Sequence, residues 1–489
     1  VSFRRLVTAL TFIAVLTMAA RVAVDSDTFW HLRAGAWMVE HGQVLRTDPF
    51  SLTRAGQAWI YPGWLAEIVL YGIYSAWGFT GLDLFTALLA LASFALIWHT
   101  IKGPILLRAF LLITAAAASG VYWSARPQMF TLLFTAFSLL VLEKAREGWR
   151  RLLWVLVPVA AVWSNLHGGF AVLFILLGIY GFAELLSSGW VALERRTSIR
   201  LALPNMASSI SLHAVVGLVS LAAIGLNPNG VQMLAYPFRT VSIGVLRQYI
   251  QEWQSPNFHD PGMQPFLVLL LLTIAVYAAG RRRPRITDVL LTVVFGAMAL
   301  LAARNIGLFA LAVLPGLVPQ TESALSPLLE RLPPSRPIRP ALARTINVLL
   351  LLLVCIAAIL QISLSVSPQS NEKQLSQDFP VAAAKAILEQ HPPGPLFNSY
   401  NWGGYVLWAL YPDYPSFVDG RTDLFDDDLL QSYLAAWKAE SEWQSVISRW
   451  GIRLVLIEPD APLAGALLRD GWQTRYADSQ AVVLTAPPR

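Results

Sequence analysis

Eleven stretches of this chain are apolar over close to the length a helix needs to cross a bilayer, about 20 residues. They are 6–24, 82–101, 104–122, 128–143, 152–166, 169–187, 212–227, 265–280, 286–303, 306–320 and 345–366. The chain is 56% hydrophobic and only 13% charged, where soluble domains carry about 25% charged residues. One folded core cannot bury that much apolar surface, but a bilayer can solvate it. The sequence therefore predicts an all-α polytopic membrane domain of about eleven spans over residues 1–366. A twelfth apolar run, 62–77, is short and carries Glu67. It is expected to be tilted or re-entrant.

Charge supports that layout. With eleven crossings, Arg4/Arg5, Lys102, Lys144–Arg151, Arg195/Arg196/Arg200, Arg281–Arg285 and Arg331–Arg344 all fall on one face. The positive-inside rule makes that face cytoplasmic. An odd number of crossings puts the N-terminus inside and the C-terminal region outside. If 62–77 crossed as well, the later clusters would change sides. The stretch 321–344, rich in Pro and Arg, reads as a cytoplasmic loop.

Beyond residue 366 the character changes. Residues 370–489 hold nine basic and fifteen acidic residues, a net −6, which leaves +12 of the chain's +6 total on the membrane part. No basic, aromatic-interleaved patch suggests nucleic acid. Residues 367–379 read as a polar linker and 380–489 as a small, separate soluble α/β domain outside the membrane. Its strands are expected at 396–399, 416–419, 453–457, 472–476 and 481–485. Its helices are expected at 380–390, 403–410, 427–436, 440–450 and 462–469. The single cysteine, Cys355, excludes an internal disulfide and any Cys-based metal site.

The polar residues of the outer loops gather where a reaction site would lie. Asp25-Ser-Asp27 follows the first span directly. A helix over 28–41 would turn Phe29, Trp30, Leu32, Ala36, Trp37 and Val39/Met38 mostly to lipid and leave His31, Arg33 and Glu40 for water or the site. Asp27 is then either the helix N-cap or a functional acid. Asp25 and Asp27 together suit a divalent cation, Mg or Mn, or a general base. Asp48 is a second candidate acid or an Asp-Pro turn residue. Glu67 at membrane depth is a candidate by its location alone. Arg126 and Arg304 stand at outer helix ends, suited to gripping a phosphate or to snorkelling. His167, before Gly168-Gly169, and Glu252-Trp253 complete the outer set. In Asp419-Gly-Arg-Thr-Asp423 a structural ion pair through Arg421 is the preferred reading over a second catalytic centre.

Taken together, Asp25-Ser-Asp-Thr-Phe-Trp-His-Leu32, Asp48-Pro-Phe50 and the 64–74 helix resemble the first outer loop of GT-C-type glycosyltransferases. That superfamily includes protein O-mannosyltransferases, the aminoarabinose transferase of lipid A and oligosaccharyltransferases. Arg126-Pro127, Asn165–Gly169, Asn227–Gly230, Glu252-Trp253, Trp402–Tyr405 and Asp419–Asp423 extend the likeness along nearly the whole chain, to a bacterial group of such membrane proteins. The resemblance implies a transferase moving a sugar from a polyprenyl-phosphate donor to a glycan, lipid or protein acceptor at the outer face of the bacterial cytoplasmic membrane. It implies Asp27 as base or metal ligand, where the known transferases more often show Asp-Glu. Asp25 and Asp48 would assist it. His31, Arg33, Glu67, Arg126, His167, Glu252 and Arg304 would bind substrate, and Trp30, Trp37 and Trp64 would sit at the lipid interface. Two other readings remain: a lipid-linked glycan transporter or flippase, and a non-catalytic scaffold for envelope assembly. Few deep ionisable residues and no internal repeat speak for transport.

Overall fold

In a computed structural model the described residues are 1–194, 199–242, 244, 249–330 and 339–488. The expected cytoplasmic arginines Arg195, Arg196, Arg331 and Arg336 lie outside them. The helices in chain order are α1 Phe3–Ala19, α2 Ser26–His41, α3 Trp64–Trp98, α4 Ile105–Ser119, α5 Gln128–Arg146 and α6 Leu156–Leu166. They continue with α7 Ala171–Glu194, α8 Ile199–Ile224, α9 Tyr236–Ser242, α10 Gln264–Ala279, α11 Ile286–Leu301, α12 Ile306–Leu329 and α13 Pro340–Ser365. A helix stands at each expected apolar run. Among the described residues, however, seven are long and apolar enough to cross a membrane, and Leu212–Ile224 and Ile286–Leu301 are shorter apolar helices.

The runs 62–77 and 82–101 are two helical stretches that adjoin within α3 and are broken at Gly78, whose φ of 62° and ψ of −155° are not helical. One boundary differs from the sequence reading. The stretch 321–329, read as loop because of its prolines, continues α12, which contains Pro315, Pro319 and Pro327. Proline is tolerated inside membrane helices where neighbours re-satisfy the freed backbone groups. α13 packs along α1 and leaves its large residues Leu349, Leu353, Ile359 and Leu364 exposed.

The segment 367–379 is no loose linker. It holds helix α14, Pro368–Asp378, and buried Asn371 donates to Asp83 of α3 at 2.8 Å. Next come α15 Val381–Gln390, β1 Leu396–Asn398, α16 Gly403–Leu410, α17 Asp427–Trp437, α18 Trp443–Arg449, β2 Leu454–Ile457, α19 Pro462–Arg469, β3 Gln473–Ala477 and β4 Val482–Thr485. All five expected helices and four of the five strands form. At 416–419 there is only a bridge from Ser416 to Ser51. The sheet order is β1-β2-β4-β3, with β1 parallel to β2 and the other two pairs antiparallel.

Every residue of β2 and β4 is buried, as in a strand covered on both faces. Leu454, Leu456 and Val483 meet Ala383, Ile387 and Val406 on one side. Val455, Ile457 and Leu484 meet Phe417, Leu430, Tyr433 and Leu467 on the other. β3 is the exposed edge; its polar Gln473 and Arg475 suit a strand that must not recruit a partner.

The α/β layer is not separate from the rest. Trp30, Ala34 and Met38 of α2, with Leu45, Phe50 and Trp59 of the first long loop, belong to the cluster on its α17 side. Phe29 belongs to the cluster on its α15 side. Most of the face of α2 expected to meet lipid is thus buried against protein: Phe29, Leu32, Ala36 and Met38 are at most 2% exposed, while Val39 is exposed. Its apolar stripe marks a buried face, and the partner is another part of the chain.

Candidate functional site

The start of α2 is set by a capping box. The Asp25 carboxylate accepts the backbone N–H of Asp27 and Thr28, both at 3.0 Å, and Thr28 Oγ1 answers the Asp25 N–H at 3.1 Å. Asp25, not Asp27, is therefore the N-cap. That leaves the Asp27 side chain free to turn inward, one turn from Trp30, whose Nε1 donates to Asp27 Oδ1 at 3.1 Å.

Asp27 faces a cavity of about 710 Å³ between one end of the membrane helices and the α/β layer. Arg126, just ahead of α5, sits among three acids. Its Nη2 is 2.8 Å from Asp27, and its Nη1 is 3.3 Å from both Asp25 and Glu252. Arg304, just ahead of α12, reaches Glu252 at 3.4 Å and lies 4.2 Å over the Trp253 ring. Neither arginine snorkels; each is held inward by partners from other segments. The cluster counts three carboxylates against two guanidiniums.

Burial pushes the Asp27 carboxyl up; Arg126 opposes this and Asp25 and Glu252 reinforce it, so that it rises to about 6. Burial also acts to raise Glu252, but Arg126 and Arg304 outweigh it and hold that carboxyl below its usual range. Three acids outweigh the desolvation of Arg126 and keep it firmly charged. The site thus places Asp27, an acid raised toward neutrality, beside the guanidiniums of Arg126 and Arg304.

His31 and His167 also line the cavity. Burial, with Arg126 and the other histidine, holds His31 well below its ordinary range. Its Nδ1 lies 3.3 Å from Glu67. His167 sits at the break between α6 and α7, where Nδ1 accepts from Gly169 N–H at 3.1 Å and is 2.7 Å from Thr131 Oγ1. Burial, then Arg304 and Arg126, press its pKa down to about 3. Both rings are neutral at physiological pH, so they can orient a ligand but carry no charge to it.

Three expected site residues lie elsewhere. The Asp48 carboxylate is fully buried, takes the N–H groups of Phe50 and Ser51 at 3.0 and 3.1 Å, and meets Arg421 Nη1 at 2.6 Å. Arg421 in turn holds Asp419 at 2.7 and 2.8 Å. Asp48 thus closes an ion triad and does not line the cavity. Glu67 is buried behind His31 and positions it. Arg33 stacks 4.9 Å over Tyr411, away from the cavity. Trp64 is half-buried and donates to Asn165 at 2.7 Å, and Trp30 lines the cavity wall. Trp37 is half-buried and stacks on His41.

Several cavity residues escaped the sequence reading. Asp423, Tyr400 and Tyr433 arrive from the α/β layer, and Tyr61, Tyr122 and Tyr236 from the membrane part. Tyr236 donates to Asp423 at 3.2 Å, and burial lifts the Asp423 carboxyl to about 6. The Asp419–Asp423 motif pointed to Asp423; nothing in the sequence distinguished the tyrosines from packing residues. Gly420 shows how closely the layer approaches. A Cβ there would fall 1.8 Å from Asp27 Oδ1. Likewise a Cβ at Gly404 would fall 2.1 Å from the Ser26 carbonyl, so the Trp402–Tyr405 glycine lets α16 dock on the start of α2.

A divalent ion does not fit Asp25 and Asp27 as they stand. Asp25 spends one oxygen on its capping box and the other on Arg126; Asp27 spends one on Trp30 and the other on Arg126. Among the described residues no group of three or more His, Cys, Asp or Glu is placed to hold a metal.

No family model and no curated protein sequence matches the chain. Solved structures do. An oligosaccharyltransferase of Archaeoglobus fulgidus, tethered to an acceptor peptide, aligns with a TM-score of 0.59 at 11% identity, over 100% of this chain and 74% of that one. The AglB oligosaccharyltransferase of the same organism, in complex with an inhibitory peptide and a dolichol-phosphate, aligns at 0.52 and 10% identity, over 94% and 70%. The chain thus has the fold of the GT-C glycosyltransferases, the architecture its first outer loop resembles.

Proposed function

We propose that this protein is a membrane glycosyltransferase that moves a sugar from a polyprenyl-phosphate donor to an acceptor hydroxyl at the outer face of a bacterial cytoplasmic membrane. The observation that carries the reading is the pairing, in one cavity, of Asp27, an acid raised toward neutrality, with the guanidiniums of Arg126 and Arg304. Transfer needs both. Asp27 takes the acceptor proton as the new glycosidic bond forms. Arg126 and Arg304 stabilise the phosphate that leaves as the old bond breaks. The structural neighbour bound to a dolichol-phosphate supports a lipid-linked donor. The arginine-rich loops on the other face support an outward-facing site.

The residues do not require a metal for this. Arg126 stands among the carboxylates where an ion would have to enter, and supplies a fixed positive charge there.

The test is transfer from a panel of polyprenyl-phosphate sugars by the full chain in liposomes. Asp27→Asn should lower turnover by at least about 100-fold, the usual worth of general-base catalysis, with the thermal unfolding profile unchanged. Turnover persisting in that folded variant would exclude Asp27 as the base.

A further inference from the structure

The wall that the α/β layer contributes to the cavity has a chemistry of its own. β1 and β2 are parallel neighbours. β1 leads to α16, whose Val406 and Leu410 pack on one face of the sheet, and β2 leads to α19, whose Leu463 and Leu467 pack on the other. Such a pair leaves a crevice outside the carboxyl ends of its strands, where α/β sheets hold ligands. Here the crevice opens into the cavity that Asp27 faces: Ser399 follows β1, Glu458 follows β2, and both line it. The Ser399 hydroxyl donates to Glu458 Oε1 at 2.6 Å, and Trp437 Nε1, at the end of α17, donates to Oε2 at 3.3 Å. The Tyr400 N–H donates to the Tyr433 hydroxyl at 2.7 Å, which holds the turn after β1 in place.

That wall carries no lysine or arginine; both lining arginines, Arg126 and Arg304, come from the membrane part. Its carboxylates, Asp423 and Glu458, form no ion pair with a lysine or arginine among the described residues. Lys438 is turned to the Tyr249 ring, 5.3 Å away, and does not line the cavity. Each Glu458 oxygen accepts one hydrogen bond and has a lone pair left. The Tyr400 hydroxyl has no hydrogen-bond partner among the described residues, and burial, with Asp27, Asp419 and Glu252 near it, keeps it protonated. Around these groups stand the rings of Tyr249, Tyr400 and Trp437. Such a surface offers acceptors to hydroxyl groups and flat apolar faces to C–H groups. A sugar ring is built of those two things, hydroxyls around its edge and C–H groups on its faces. A peptide carries few hydroxyls, and an anionic group would be repelled by two carboxylates with no cation beside them.

Resting on the transferase reading above, we infer that this wall is the acceptor subsite and that it takes an uncharged sugar, so that the acceptor is a glycan. Saturation-transfer NMR on the full chain in nanodiscs, without donor, reads binding alone. The probes are neutral hexose and pentose oligosaccharides, uronic-acid oligosaccharides of the same length, and an uncharged serine-containing peptide. The neutral oligosaccharides should bind and the other two classes should not. Glu458→Gln should weaken that binding about ten-fold or more, since a charge-assisted hydrogen bond is replaced by a neutral one. Glu440→Gln removes the same charge from the same layer outside the cavity, and should change binding less than about two-fold. A photoreactive neutral oligosaccharide on the wild-type chain should label residues 399–401 or α17, which keeps the test independent of how well the variants fold. Preference for the uronic acids or the peptide, no binding of any neutral oligosaccharide, equal losses in both variants, or labelling elsewhere would overturn the subsite. A chain that binds the glycan but never transfers a sugar would sink the transferase reading and leave the glycan site standing. One that transfers a sugar only to peptide or lipid would do the reverse.

Discussion

At the scale of single residues, the site turns on how Asp27 is held. Burial raises its pKa to about 6, against the pull of Arg126. A base must be deprotonated to act, so transfer should rise with pH through about 6 and then level off. Trp30 Nε1 donates to Asp27 Oδ1 and favours the charged form. Removing that donor in Trp30→Phe should therefore move the acidic limb to higher pH, while Asp423→Asn should leave its position unchanged. A limb that stayed put in Trp30→Phe and vanished in Asp423→Asn would assign the proton to Asp423, whose carboxyl also titrates near 6. The stability sign is separate. A carboxyl raised in the fold binds its proton more tightly there than in the unfolded chain, so it favours the fold at low pH. That contribution is lost as pH rises through about 6. The active form of the site is therefore its less stable form.

At the scale of elements, the Asp48–Arg421–Asp419 triad pins the loop between α2 and α3 to the turn that follows Ser416. All three side chains are fully buried. Asp48→Ala would leave the Arg421 charge short of a partner, and removing one partner of a buried pair costs about 3–5 kcal/mol. The expected result is a lower unfolding midpoint in a chain whose turnover, below that midpoint, keeps the wild-type pH limb. Asp27→Asn should show the converse, a lost reaction in a stable protein. The sequence displayed each half of this triad as a motif, Asp48-Pro-Phe50 and Asp419–Asp423, and even suggested the ion pair within the second. It could not show that the two halves meet, because they lie 373 positions apart and no local pattern records a long-range pairing. Helix α2 repeats the lesson. Its apolar stripe was legible, but hydrophobicity does not say whether lipid or protein will cover it. The apolar helices were legible because solvation by hydrocarbon is a property of each run by itself, although seven of them among the described residues are long enough to cross. The continuation of α12 through Pro319 and Pro327 was not, because it depends on neighbours that re-satisfy the backbone.

At the scale of the whole molecule, the α/β layer is a wall of the cavity that Asp27 faces, and its own core is completed by residues of the membrane part. Phe29, Trp30, Met38, Leu45, Phe50 and Trp59 are buried in its two clusters. Burying a large apolar side chain is worth about 1.5–3 kcal/mol, so these six contribute on the order of 10 kcal/mol. That matches the whole stability of a typical domain, about 5–15 kcal/mol. Residues 380–489 expressed alone should therefore show no cooperative thermal transition, although they contain all four strands. Joining residues 25–62 to them by a flexible linker should restore one, because that segment supplies the six side chains and Asp48. Circular dichroism on heating checks both proteins. A sharp transition in 380–489 alone would mean that the layer folds first and the loop only docks on it. Its turn at Gly420 could then leave and return to Asp27 during turnover. The absence of a transition would mean that the acid and the wall beside it form in one step, so that Asp27 meets substrate only in a cavity that is already built.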